Sequence, residues 1–131
     1  IRKFYEVTDY WQIETAYSVQ DARKSAAKMF ENHPRPTAVI TGNDVIAQGV
    51  IYAAQAKGLN VPNDISVTGI GDFSNSASSF PSITTVRMRP NKVGTKAALV
   101  LLDRINGDRE AYPTRIKVSV EVKSRESTKS I

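Results

Sequence analysis

The stretch "TAVITGNDVIAQGVIYAAQAKGLNVPNDISVTGI", residues 37 to 70, limits the possible folds more than any other part of the 131-residue chain. "TAVIT" (37–41) is short, continuous and rich in branched residues with no polar alternation, the pattern of a strand covered on both faces. "VIAQGVIYAAQAKG" follows as a helix that Asp44 can cap and Gly58 can end in a left-handed conformation. "ISVTGI" (65–70) is a second strand, reached through the turn "LNVPND". Strand, helix and strand in this span match one right-handed crossover between parallel strands. The expected class is α/β, a three-layer α/β/α arrangement with a mostly parallel sheet.

The flanks extend this pattern. "SVQDARKSAAKMFEN" predicts a helix capped by Ser18, with Asp21 as capping-box partner and Ala22, Ala26, Met29 and Phe30 at helical spacing. "HPRP" stops it. "ITTV" (83–86) is a third strand. Pro90 suits the first turn of a helix whose apolar face is Val93, Ala97, Ala98, Leu101, Leu102 and Ile105, closed by Asn106 and Gly107. "IKVSVEVKS" alternates Ile116, Val118, Val120 and Val122 against polar residues, predicting a half-exposed edge strand. The tail "SRESTKSI" reads as loose.

Several kinds of chemistry are excluded by what the chain lacks. It has no cysteine and one histidine, His33, in the loop-like "ENHPRP". Disulfides and thiolate metal sites are therefore ruled out, and histidine catalysis has little to work with. No apolar run approaches the roughly 20 residues of a membrane span, and "IRKFYEV" has no signal-peptide core. A cytoplasmic piece of a longer polypeptide, with no membrane partner, is expected. The formal net charge is +5, but the cations are scattered without aromatic interleaving, which reads as a solvated surface and not a nucleic-acid patch. Asp44 and Asp72, at adjacent strand ends, have the residue types of a glycosidase pair, yet nothing in the sequence tunes either pKa. "GIGDFSNS" lacks the lysine of a phosphate loop. No catalytic residue, metal or cofactor is assigned, and an enzyme is not expected.

What remains is a binding site. In an open parallel sheet, ligands bind at the carboxyl ends of the strands. The loops there carry Thr41, Gly42, Asn43 and Asp44 after one strand, and Gly71 and Asp72 after the next. Asparagine offers a donor and an acceptor while ionised aspartate only accepts, so the pair matches the vicinal hydroxyls of a sugar or polyol. The same residue types also serve turns and caps, and the residues alone leave both roles open.

The motifs "RPTAVITGNDVIAQGVIYAAQAKGLNVPNDISVTGIGDF", "FPSITTVRMRPNKVGTKAALVLLDRI" and "VKSRESTKS" together closely resemble the lactose/galactose repressor (LacI/GalR) family of bacterial transcription regulators. The likeness is to the C-terminal part of their effector-binding region and runs from about residue 15 to the end of the sequence. It implies a type I periplasmic-binding-protein-like fold. Residues 1–131 would be a partial effector-binding domain, mainly its C-terminal subdomain, with the DNA-binding domain outside this chain. It further implies a small-molecule effector such as a sugar, a homodimer paired through helix 44–57 and loop 74–80, and control of operator DNA. By motif, Asn43 hydrogen-bonds the effector and Tyr17 forms an aromatic wall of its pocket; Asp72 takes the hydroxyl grip if the glycine at 71, where the family carries an acid, permits it. Stand-alone sugar-binding proteins of the periplasmic transport type share the fold and are the alternative.

Overall fold

The structure, a computed structural model, describes residues 10–32, 35–107 and 115–130. Four strands form one sheet in the order β1-β2-β3-β4: β1 (Ala38–Ile40), β2 (Ser66–Gly71), β3 (Thr84–Arg87) and β4 (Glu121–Lys123). The first three are parallel, with Val39 opposite Val67 and Gly69 opposite Thr85; β4 runs antiparallel to β3 and places Val122 opposite Val86. Helix α1 (Val19–Asn32) precedes β1, α2 (Asp44–Ala56) joins β1 to β2, and α3 (Pro90–Ile105) follows β3. The strand-helix-strand unit thus forms as its pattern predicts.

Helix α1 begins at the expected cap. The Asp21 backbone N–H donates to Ser18 Oγ at 3.0 Å, and the Ser18 hydroxyl donates to Asp21 Oδ2 at 2.6 Å. His33 and Pro34, assigned to its end, lie outside the described residues. Helix α2 starts differently from expectation. Its N-cap is Asn43, in an extended conformation, whose side-chain oxygen accepts from Ile46 N at 2.8 Å. Asn and Asp cap equally well, and the choice is made by strand pairing. Thr41 N donates to Thr68 O at 3.0 Å, and the Thr41 hydroxyl donates to Asn43 O at 2.8 Å, which sets the turn one residue earlier and drives Asp44 into the interior. Gly58 closes α2 with φ +76, and Leu59 N donates back to Ala54 O at 3.0 Å.

The core lies between α1, α2 and the sheet: Ala26, Ala47, Val50, Ile51 and Ala53 from the helices meet Val67 and Ile83. Burying each large aliphatic chain here contributes roughly 1.5–3 kcal/mol. Close approach of α1 to α2 requires Gly49, where a Cβ would stand 2.5 Å from Ala22 Cβ and 2.6 Å from Val19 O.

Three expectations need correction. β1 is not covered on both faces; it is an edge of the described sheet and Ile40 is 67% exposed. The terminal strand is only Glu121–Lys123, and the apolar residues Ile116, Val120 and Val122 are exposed, because alternation marks a face that needs a partner without supplying one. The tail is not loose. The Ser127 side chain is completely buried; its Oγ accepts from Thr84 N at 2.8 Å and donates to Val67 O at 2.6 Å, while its own carbonyl accepts from Val67 N at 2.8 Å. A polar segment reads as loose until its hydrogen bonds are counted against strand backbone.

Helix α3 forms where Pro90 predicts it, and none of its residues is buried. Val93, Ala97 and Leu101 line, with Ile116 and Val118, a shallow apolar cavity of about 370 Å³.

Candidate functional site

The turns after β1 and β2 and the strand β3 are held together by Asp44, which the sequence offers as a helix cap and as a polar residue of the binding loop. Asp44 is fully buried. Its Oδ2 accepts from Phe73 N at 2.9 Å and from Ser76 Oγ at 2.6 Å, and its Oδ1 accepts from Thr85 Oγ1 at 2.5 Å. The start of α2 is thereby tied to the turn after β2 and to the middle of β3. Gly69 makes room for this: a Cβ there would sit 2.1 Å from Asp44 Oδ1. The tie keeps the Asn43 turn and the Asp72 turn side by side at the carboxyl ends of neighbouring parallel strands, as the site hypothesis requires.

Asp72 itself is engaged within the protein. The chain turns sharply after β2, with Gly71 at φ +129 and Asp72 at φ +57, and the Asp72 side chain is only 6% exposed. One carboxylate oxygen accepts from Arg125 Nη2 at 2.5 Å, and the other is paired with Arg87 Nε. Burial alone would raise its pKa; the hydrogen bonds from Arg125 and Arg87, and their charges, outweigh it and hold the carboxyl below its ordinary value. The glycine before it does not leave Asp72 open for ligand hydroxyls. Nor is the space at position 71 vacant, since a Cβ there would lie 2.7 Å from the Phe73 ring.

Asn43 uses Oδ1 as the α2 cap; among the described residues no hydrogen bond engages its Nδ2, which leaves a donor for a ligand. Tyr17 stands 80% exposed. It borders a cavity of about 410 Å³ whose other walls include Ile13, Met29, Ile40, Thr41 and Gly42, a volume suited to a small metabolite. Neither Asn43 nor Asp72 is among its lining residues. The three predicted residues therefore separate: Tyr17 walls the hollow, Asn43 adjoins it through Gly42, and Asp72 lies one strand further along, locked to arginines.

Sequence reasoning named Asp44 but missed its role as the tie, and missed Arg87 and Arg125. The signal for Asp44 is the glycine at 69, whose missing Cβ leaves room for the carboxylate, a contact invisible without the register. For Arg125 it was an arginine within "SRES", discounted with a tail assumed loose.

Comparison with known proteins places this geometry. A model of the periplasmic binding protein-like domain matches residues 2–128. The chain belongs to that family. Among its relatives is the HTH-type transcriptional repressor PurR of Serratia proteamaculans (strain 568), 37% identical over 105 residues, which span 80% of this chain and 31% of the relative. PurR of Proteus mirabilis (strain HI4320) is 37% identical over 82% of this chain and 32% of its own length. The chain thus spans about a third of the length of the curated relatives it matches. Among solved structures, the lac repressor dimer bound to operator and the anti-inducer ONPF superposes with TM-score 0.83 at 27% identity, covering 89% of this chain and 40% of that one. A LacI family regulator from Arthrobacter sp. FB24 in complex with lactose gives TM-score 0.77 at 26% identity, over 88% of this chain and 43% of that one. Within the periplasmic binding protein-like family, the chain is an effector-binding domain of the LacI/GalR regulator type.

Proposed function

We propose that this chain is the effector-sensing and pairing part of a transcriptional repressor, and that a small molecule bound at the carboxyl ends of β1 and β2 changes how the whole protein holds operator DNA. The observation that carries the reading is the Asp44 tie, which sets the Asn43 turn beside the Asp72 turn next to a hollow walled by Tyr17. Tyr17 supplies a ring face for the apolar side of the ligand, and Asn43 Nδ2 supplies a donor. Relatives described as repressors, and a neighbour with lactose bound, support a ligand-sensing role over transport or catalysis.

The exposed apolar surfaces fit a piece of a larger assembly. The edge of β1 at Ile40, the face of α3 and the 116–118 segment are where the remaining two thirds of a relative-sized protein would pack. Pairing of two copies would use the outer side of α2. Val50, Ile51 and Ala54 are buried, while Tyr52 is exposed and linked to Gln48 at 3.1 Å, and Phe80 stands 83% exposed, its carbonyl accepting from Gln55 Nε2 of α2 at 3.2 Å. An effector that binds one arrangement of the assembly more tightly shifts the population toward it, by no more than its differential affinity.

The test is operator binding by the full-length protein, with and without candidate effectors, in Asn43→Asp and Tyr17→Ala variants. Asn43→Asp keeps the cap acceptor and removes the amide donor. Loss of the effector response with operator affinity unchanged supports the reading; an unaltered response in both variants overturns it.

A further inference from the structure

We infer that the effector carries an anionic group, a phosphate or a carboxylate, received at the ends of β3 and β4 by Arg89 and the outer edge of Arg87. The inference rests on the effector-sensing role proposed above and deepens it.

The first support is a shortage of free carboxylates in the turns after β1 and β2, which leaves Glu14, on the wall of the Tyr17 hollow, as the carboxylate beside the ligand ring. A neutral polyol needs carboxylates or carbonyls to take its hydroxyl protons. Of the two carboxylates in the turns after β1 and β2, Asp44 is buried with three donors upon it. Asp72 has both oxygens committed to Arg87 and Arg125. The Phe73 ring fills the space at Gly71, so no third carboxylate fits there without displacing it.

The second support is an excess of cations at the same edge. Arg87 ends β3, Arg89 follows two residues later, and Glu121 lies opposite Arg87 at the start of β4. Glu121 is shared among Lys123 at 2.5 Å, Arg89 at 3.5 Å and Arg87 at 3.9 Å. The last two distances are too long for charge-assisted hydrogen bonds, which run at about 2.7–2.9 Å. Four cations, counting Arg125, thus meet two carboxylates. The guanidinium groups of Arg87 and Arg89, each with a side chain 42% exposed, keep donors for an oxyanion in the planar geometry that arginine offers.

The third support is spacing. With strands about 4.8 Å apart, the end of β3 stands roughly 10 Å from the end of β1, where Gly42 borders the Tyr17 hollow. A ligand with its ring at Tyr17 and a charged substituent toward β3 bridges that distance; a bare sugar ring does not.

The test uses the full-length protein and isothermal titration with four probes: a hexose, its 6-phosphate, the matching hexuronic acid, and inorganic phosphate. Arg89→Gln and Arg89→Lys are made in parallel, since Arg89 does not hold Asp72. The phosphate or the acid is expected to bind at least about tenfold tighter than the hexose, with that advantage lost in Arg89→Gln and largely kept in Arg89→Lys. Preference for the 6-phosphate identifies a phosphorylated effector, and preference for the uronic acid a carboxylate one. The inference falls if the hexose binds as well as the charged probes, or if the preference survives Arg89→Gln. If the hexose binds and Asn43→Asp abolishes it, only the anion inference falls and the sensing site stands. If none of the probes binds, the anion inference falls too, and the operator assay decides the sensing role separately.

Discussion

Replacing Asp44 by alanine tests the tie that holds the site together. The substitution removes the acceptor for Phe73 N, Ser76 Oγ and Thr85 Oγ1 at once. The two hydroxyls can rotate toward other acceptors, but the Phe73 amide, in a part-buried bond, cannot, and a donor left without its partner costs about 1–3 kcal/mol. Adding partial loss of the hydroxyl bonds, the expected destabilisation is roughly 3–5 kcal/mol, a large share of the usual 5–15 kcal/mol total. Gly69→Ala supplies the control, because its new Cβ would sit 2.1 Å from Asp44 Oδ1 and 3.0 Å from Asp44 Cα. With the carboxylate gone, the first of these clashes disappears. Chemical denaturation of the two single variants and the double should show the double costing less than the sum by about 1–3 kcal/mol. Amide exchange should show Phe73 losing protection in Asp44→Ala. Additive effects, or an Asp44→Ala cost below about 1 kcal/mol, would refute the reasoning.

Other outcomes follow from the same contacts. Asp72→Ala leaves Arg87 and Arg125 without their carboxylate and should destabilise by about 3 kcal/mol, read as a shift in the denaturation midpoint. Because the folded Asp72 pKa is depressed, its contribution is present above the unfolded value and is lost as pH falls through the folded one; acid titration of stability below the usual aspartate range should therefore be flatter in Asp72→Asn than in the parent. Gly49→Val drives a side chain into Ala22 and the Val19 carbonyl, and circular dichroism melting should show a large loss of stability as α1 is pushed off α2. Ser127→Ala orphans the buried Thr84 N–H and should cost about 1–3 kcal/mol in the same denaturation assay.

The parallel unit at 37–70 is legible because its two branched apolar runs and the glycine stop at 58 agree, and agreement across levels is what makes local sequence informative. What escaped was long-range and polar. Nothing local distinguishes Asn43 from Asp44 as a cap; the register of Thr41 against Thr68, 27 residues away, decides it. Asp72 looked like a side chain delivered to a ligand because its two partners lie 15 and 53 residues further along the chain. The apolar alternation of the edge strand and the apolar face of α3 predict burial, whereas Leu101, Leu102 and Ile105 are exposed among the described residues, because local spacing marks a face without naming what covers it.

The central claim is that the ligand sits over the carboxyl ends of the strands that Asp44 ties together. A crystal structure of the full-length protein with its effector bound tests this most directly. The ligand should lie against the Tyr17 ring, within hydrogen-bond distance of Asn43 Nδ2, and extend toward the end of β3. A ligand seated on any other surface, with Tyr17 and Asn43 untouched, would contradict the account.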